Sequence, residues 1–149
     1  RAKENKMAAT TSVLNVTEFS IIEKDAKNLV TNGDVEKAKE LYTRFIEGEH
    51  KTTDDRKTLA LAINNRGHLR YLSVDFHGAI EDYTAAIELD PCLPVSYYNR
   101  GQIHYRMGRF QGAIDDLEKA LELDPNFADA RDNLSQAKKD FAVNDGNPI

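Results

Sequence analysis

Apolar residues recur along most of the chain at intervals of three and four, with charged and polar residues between them. This spacing gathers the apolar side chains on one face of an α-helix and predicts an all-α protein. Asp34 and Asp75 precede two of the periodic stretches and are expected to be helix N-caps. Pro91 and Pro125 follow two others, where proline ends a helix. The predicted helices cover about residues 18–31, 35–47, 55–72, 76–89, 94–107, 110–123 and 127–142.

The central part of the chain repeats itself. When residues 60–91 are laid over residues 94–125, a shift of 34, 14 of the 32 aligned positions are identical. The identical positions hold glycines, alanines, aromatic residues, acidic residues and a closing proline. A fixed period of this length indicates a supersecondary unit that stacks on copies of itself.

The period and the residues that carry it resemble the tetratricopeptide repeat (TPR) family, whose unit is a pair of helices, A and B. The small residues at shared places let helices approach closely, and the aromatic residues open the B helices. The resemblance implies a right-handed superhelix of three TPR helix-turn-helix repeats plus a C-terminal capping helix. It is carried by Gly67, Gly101, Phe76, Phe110, Ala79, Ala113, Ala86, Ala120, Pro91 and Pro125.

A third, degenerate copy of the repeat precedes the two regular ones. Gly33, Ala38 and Tyr42 fit the pattern, but Phe45 replaces a small residue, so less regular packing is expected. Ala38 lies 41 residues before its equivalent instead of 34, and the seven extra residues fall in the polar stretch 47–58, predicted as a loop and a first helical turn. The expected organisation is a flexible segment over 1–17, a TPR domain over 18–142 with repeats at about 18–52, 60–93 and 94–127 and a cap helix at 128–142, and a disordered tail over 143–149.

Length and charge narrow the class of protein. The 149 residues suit one domain. A net charge of −5 disfavours nucleic acid and an anionic membrane surface as partners. Cys92 is the single cysteine, so neither an intramolecular disulfide nor a cysteine-rich zinc site is available. These features favour a cytoplasmic or nuclear protein, and we expect a monomer with no membrane insertion.

The resemblance also implies a binding surface, because the A helices of this family line the inner groove of the superhelix. Asparagine and glutamine can pair with a peptide backbone, and tyrosine and arginine are frequent hot-spot residues. Two alternatives stay open: Asn65 and Asn99 contact a ligand or bridge neighbouring helices, and Tyr71 and Tyr105 contact a ligand or fill the gap between A helices. The candidate groove residues are Lys27, Asn64, Asn65, His68, Tyr71, Tyr98, Asn99, Gln102, Tyr105 and Arg106.

Family members that clamp the carboxylates of Hsp70 or Hsp90 tails use a set of lysine, asparagine and arginine residues. Of the equivalent residues here only Asn65 matches, and Glu23 would repel a carboxylate. The sequence therefore argues against a tail clamp of this kind.

Chemistry of other kinds finds little support in the sequence. His50, His68, His77 and His104 form no metal-binding or catalytic motif, and Cys92 is expected to be a loop thiol. Asp54 and Asp55 are expected to cap the following helix or contact a partner, and the acidic pair Asp115-Asp116 is expected to lie on a solvated face.

We expect this protein not to be an enzyme and to bind no cofactor. The favoured function is an adaptor that binds a protein or peptide in the groove. The alternative is a structural subunit of an assembly or homodimer that uses its outer or end surfaces.

Overall fold

A computed structural model describes residues 2–48 and 53–145 of the chain. These residues form seven α-helices and no strand, which confirms the all-α class. The helices are α1 (Ala2–Thr31), α2 (Val35–Glu47), α3 (Thr53–Leu72), α4 (Phe76–Leu89), α5 (Pro94–Arg106), α6 (Phe110–Leu123) and α7 (Ala128–Asn144). The pairs α1–α2, α3–α4 and α5–α6 are the three predicted A–B pairs, and α7 is the predicted cap helix.

Helix α1 differs most from the sequence prediction, because it begins at Ala2 and not near residue 18. The described backbone is therefore helical from Ala2 through the segment that the sequence predicts as flexible, residues 1–17. Residues 2–9 are mainly alanine, lysine, glutamate and methionine, which favour a helix, and no glycine or proline interrupts residues 2–17. At the other end, α7 continues to Asn144, so the first two residues of the tail predicted over 143–149 are helical. Residues 146–149 of that predicted tail lie outside the described residues.

The chain divides into two compact units, with the boundary between Asp90 and Pro91. In the first unit, α3 packs against α1, α2 and α4. Its core includes Phe19 and Phe45, whose ring centroids lie 5.5 Å apart. The large Phe45 ring thus packs in the core of the first repeat. In the second unit, α6 packs against both α5 and α7, and α5 also contacts α7.

Gly67 and Gly101, shared by the two regular repeats, each lie at a close approach of the A and B helices. A Cβ atom added at Gly67 would lie 2.9 Å from the Tyr83 ring, and one added at Gly101 would lie 3.2 Å from Leu117 Cγ. Tyr83 and Leu117 occupy equivalent places on the B helices and are almost fully buried. The sequence prediction that small residues allow a close crossing is confirmed at both places.

Of the two predicted caps, Asp75 caps its helix: its carboxylate accepts a hydrogen bond from the Gly78 amide at 3.0 Å. Asp34 stands at the N-cap of α2, but its carboxylate pairs with Lys37 Nζ at 3.1 Å instead. The inserted stretch ends α2 at Glu47 and supplies the first turns of α3. Asp55 lies in the first turn of α3 and is buried, so it is neither the N-cap nor a surface contact.

Candidate functional site

The structure divides the candidate groove residues between the two units. Lys27, Asn64, Asn65, His68 and Tyr71 lie on α1 and α3 of the first unit. Tyr98, Asn99, Gln102, Tyr105 and Arg106 all lie on α5 of the second unit, where α7 packs beside them. In both units the candidates are carried by A helices, and we call the two surfaces the α1–α3 face and the α5–α7 face.

Asn65 is the centre of a polar network in the first unit. Its Nδ2 donates to Glu23 Oε1 on α1 at 3.2 Å and to the Tyr42 hydroxyl on α2 at 3.4 Å. Burial raises the pKa of Tyr42, which keeps this hydroxyl protonated. Asn65 therefore bridges neighbouring helices, one of the two roles that the sequence left open.

Asn64 is placed differently from the sequence expectation. Only 4% of this residue is exposed, and its Nδ2 donates to Asn65 Oδ1 at 3.3 Å. A ligand on the α1–α3 face cannot reach a side chain this deeply buried, so Asn64 supports Asn65 and is not itself a contact residue. Sequence periodicity missed this because it gives the rotation of a helix against its neighbours only to within about one residue.

The remaining candidates of the first unit are more accessible. Lys27 and His68 are exposed, and the His68 ring stacks on Tyr71 with centroids 6.1 Å apart. Tyr71 in turn packs against Phe76 at 5.9 Å. Desolvation lowers the pKa of His68, so its imidazole is neutral at pH 7. Lys27 is therefore the positively charged side chain among the predicted residues of the first unit.

Tyr98 organises one end of the α5–α7 face. Its hydroxyl accepts hydrogen bonds from Gln102 Nε2 at 2.7 Å and from Asn133 Nδ2 on α7 at 3.4 Å. Its ring packs against Phe127 with the centroids 4.6 Å apart. Phe127 was not among the predicted site residues, although it stands at the start of the cap helix. These contacts hold the Tyr98 side chain in one orientation.

Tyr105 organises the other end of the same face. Its hydroxyl donates to Asp140 Oδ2 on α7 at 2.5 Å, and Gln136 Nε2 donates to the same carboxylate at 3.1 Å. These hydrogen bonds raise the pKa of Tyr105 and lower that of Asp140. Arg106 is exposed at the end of α5, and Asn99 is half-buried. Tyr105 therefore fills the gap between two A helices, as one of the sequence alternatives held.

The sequence reading of Asp116 as part of a solvated face is wrong. Asp116 is only 6% exposed, and Arg100 donates hydrogen bonds to its carboxylate from Nε at 2.8 Å and from Nη2 at 2.7 Å. Asp82 and Arg66 form the same bidentate pair in the first unit. In both pairs the aspartate raises the pKa of the arginine. The sequence signal for this ion pair was that both the arginine and the aspartate recur in the two repeats. Asp115 is exposed, as expected.

A second basic residue approaches each buried aspartate, and it differs between the units. Arg70 Nη1 lies 3.2 Å from Asp82 Oδ1 and donates to the Gly78 carbonyl at 3.0 Å. His104 takes the equivalent place and lies 3.8 Å from Asp116, while its buried Nδ1 has no hydrogen-bond partner. Desolvation lowers the pKa of His104. These groups brace the A–B pair and do not face the candidate surfaces.

Within residues 2–48 and 53–145, no group of three or more His, Cys, Asp or Glu side chains is placed to hold a metal ion. Cys92 is an exposed turn thiol, as predicted. His50 lies outside the described residues. None of the described helices is long and apolar enough to cross a membrane.

The helix pairs and their shared packing residues define a helical repeat protein. Residues 94–127 match the family model "Tetratricopeptide repeat", and residues 67–108 match the model "TPR repeat". Over residues 67–127 the chain is therefore similar to tetratricopeptide repeat proteins, in line with the sequence resemblance.

Solved structures extend this likeness of fold beyond the matched segments. The first TPR domain of Spaghetti (RPAP3), bound to an HSP90 peptide, superposes with a TM-score of 0.74 at 21% identity, covering 85% of this chain and 97% of that one. The second TPR domain of human RPAP3, in complex with an HSP70 peptide, gives 0.69 at 26% identity over 83% and 98%. Caenorhabditis elegans UNC-45, in complex with an Hsp90 peptide, gives 0.69 at 29% identity over 85% of this chain and 14% of that one.

These similarities bear on the sequence argument against a chaperone-tail clamp. That argument compared individual residue types, but each of the three similar domains was solved with, or belongs to a protein solved with, a chaperone peptide. The peptides are ligands of those domains, and the likeness to this chain is one of fold. The argument from residue types therefore stays a prediction.

Proposed function

We propose that this protein is a non-enzymatic adaptor that binds a segment of a partner protein on the exposed faces of its A helices. The observation that carries the proposal is the pair of cross-helix hydrogen bonds from Asn65 and Asn133, which fix amide and aromatic side chains on those faces. Preorganised polar and aromatic side chains lower the entropic cost of binding an extended peptide. The likeness to domains solved with peptides supports the same function.

The α1–α3 face has the chemistry for an acidic segment. Lys24 and Lys27 are exposed on α1, and neither side chain takes part in an ion pair or hydrogen bond within the described residues. A carboxylate of a ligand could pair with either ammonium group. We therefore propose a chaperone-type acidic tail as the candidate ligand of this face. Glu23 lies beside Asn65 and would restrict such a ligand to the lysine side.

The experiment is a titration of the full chain with the peptides SRMEEVD and SGPTIEEVD, followed by amide chemical shifts. Binding on the α1–α3 face would shift amides of α1 and α3, and the variant Lys24→Ala/Lys27→Ala would weaken it about fivefold or more at low ionic strength. Lys57→Ala, an exposed lysine elsewhere on α3, is the matched charge control. Shifts that survive the double variant unchanged would reject the acidic ligand for this face.

A partner that is not a chaperone tail calls for capture from lysate with wild type and with Lys27→Ala/His68→Ala/Gln102→Ala. Loss of the captured protein in the variant supports binding on the A-helix faces, since these three side chains lie there. Retention of the same protein would favour the alternative, a structural subunit that uses its outer or end surfaces. Concentration-dependent sedimentation tests the homodimer form of that alternative and the expected monomer.

The proposed compartment is the cytoplasm or nucleus. A single exposed cysteine suits a reducing compartment, where disulfides do not hold domains together. Fractionation of cells that express the tagged chain tests this directly.

A further inference from the structure

Two hydrogen bonds show which side of the cap helix faces α5. Asn133 Nδ2 reaches the Tyr98 hydroxyl at 3.4 Å, and seven residues further along both helices Tyr105 reaches Asp140 at 2.5 Å. The equal spacing means that α5 and α7 run in the same direction. One end of the α5–α7 face is therefore built around Tyr98, and the other around Tyr105.

Two carboxylates extend the Tyr98 end of this face. Asp129 lies one helical turn before Asn133, and Asp132 lies one turn before Gln136. Both aspartates are exposed, and within the described residues neither takes part in an ion pair or hydrogen bond. The N-terminus of α7 stabilises Asp129 in its first turn, but Asp132 lies beyond that turn and has no such structural reason.

The same end also presents an aromatic surface. Tyr98 and Phe127 are half-buried and in contact, and the two amides that bond the Tyr98 hydroxyl keep its ring in place. An aromatic face beside carboxylates suits a lysine or arginine side chain, which gains both cation–π and ionic attraction. Two exposed cations of these helices, Arg106 and Lys139, lie toward the opposite end, whereas the guanidinium of Arg131 on α7 donates to the Pro125 carbonyl.

We propose that the α5–α7 face binds an extended peptide segment of a partner protein through a lysine or arginine, seated between the Tyr98–Phe127 pair and Asp132. This inference rests on the proposed function and adds the charge of the ligand and the place of its basic residue. Charge complementarity selects the occupant, because the two carboxylates without partners lie at the same end as the aromatic pair, whereas Arg106 and Lys139 lie toward the other end. The charge of this ligand is opposite to that of the acidic ligand proposed for the α1–α3 face.

The test uses fluorescent peptides of one extended sequence that differ only in carrying Lys, Gln or Glu at the charged positions. Anisotropy with the full chain gives the affinity, and amide shifts locate the bound peptide. We expect the Lys peptide to bind most tightly and to shift amides of α5 and α7. The variant Asp129→Asn/Asp132→Asn should weaken its binding about five- to tenfold at low ionic strength, with the difference shrinking as salt is added.

The matched control is Glu81→Gln/Glu88→Gln, which removes the same charge from exposed positions of α4. Equal weakening by this control would show general attraction to an acidic protein and overturn the proposal. Tighter binding of the Glu peptide at the same amides would overturn it while leaving the peptide-binding function intact. If no peptide, including the chaperone-tail peptides, shifts amides of any A helix, both the function and this inference fail.

Discussion

Val74 is the residue whose replacement tests the local energetics most directly. It occupies the turn between α3 and α4 with φ of +62°, whereas the equivalent turns hold Gly33 at +86° and Gly108 at +72°. A positive φ brings the Cβ atom of an L-residue into conflict with its own backbone, and a β-branched side chain is the most restricted. Since 71% of Val74 is exposed, little burial offsets this strain. Val74→Gly should therefore stabilise the protein.

The magnitude follows from two opposing terms. The left-handed conformation costs an L-residue about 1–2 kcal/mol, and valine belongs at the upper end of that range. Glycine gives back roughly 0.5–1 kcal/mol, because it loses more backbone entropy on folding. The net gain is about 1 kcal/mol, which for a chain of this length raises Tm by roughly 3 °C.

Thermal and urea unfolding followed by circular dichroism measures this change. Val74→Ala should recover less than half of the gain, because alanine still carries a Cβ atom at positive φ. Gly108→Val is the reverse control and should destabilise by about 1–2 kcal/mol. The reasoning would be refuted if Val74→Gly left the free energy of unfolding unchanged or lowered it, or if Val74→Ala stabilised as much as glycine does.

Three further predictions concern the second unit. Gly101→Ala should destabilise by about 1–3 kcal/mol, because the new methyl group would crowd the Leu117 side chain at 3.2 Å, and chemical denaturation measures it. Asp116→Asn should cost about 1–3 kcal/mol in the same assay, since it removes the buried carboxylate charge that pairs with the half-buried Arg100 guanidinium, while Asp115→Asn on the exposed side should change stability by about 0.5 kcal/mol or less. Desolvation lowers the pKa of His104 in the folded state, so the unfolded chain binds the proton more readily, and stability should fall as pH drops below the ordinary histidine value of about 6.5. His104→Gln should flatten this part of the profile of Tm against pH, and an unchanged slope would contradict the assignment.

Much of the fold follows from local signals in the sequence. The boundaries of α2, α4 and α6 agree with the periodic stretches, because glycine, aspartate and proline mark their ends. The close A–B crossings follow from the shared glycines, because a small residue that recurs at one place in a helix leaves room there for a neighbouring helix. Helix α1 escaped this reasoning, since its first half lacks a regular apolar stripe.

The polar residues were harder to place than the apolar ones. Asp115 and Asp116 look alike in the sequence, yet one is exposed and the other is held by an arginine sixteen residues earlier. Which of two neighbouring aspartates turns inward depends on the rotation of the helix against its partner, which periodicity gives only to within one residue. Recurrence of the pair as Arg66 and Asp82 would have distinguished them, because the repeat samples the same packing twice.

In the cross-helix contacts of Asn65 and Asn133, one partner is the same residue in both units and the other partner is different. This difference makes the two candidate faces chemically distinct. Asn65 on α3 and Asn133 on α7 occupy equivalent places in two A helices. Each donates to a side chain of the preceding A helix: Glu23 in the first unit and Tyr98 in the second. The varied place holds Glu23, Asn64, Tyr98 and Asp132 in the four A helices. The shared asparagine therefore sets helix spacing, whereas charge and shape for a ligand come from the varied place. On this reasoning, exchanging Tyr98 for glutamate should change which peptide the α5–α7 face prefers more than it changes stability, and peptide titration beside urea unfolding separates the two effects.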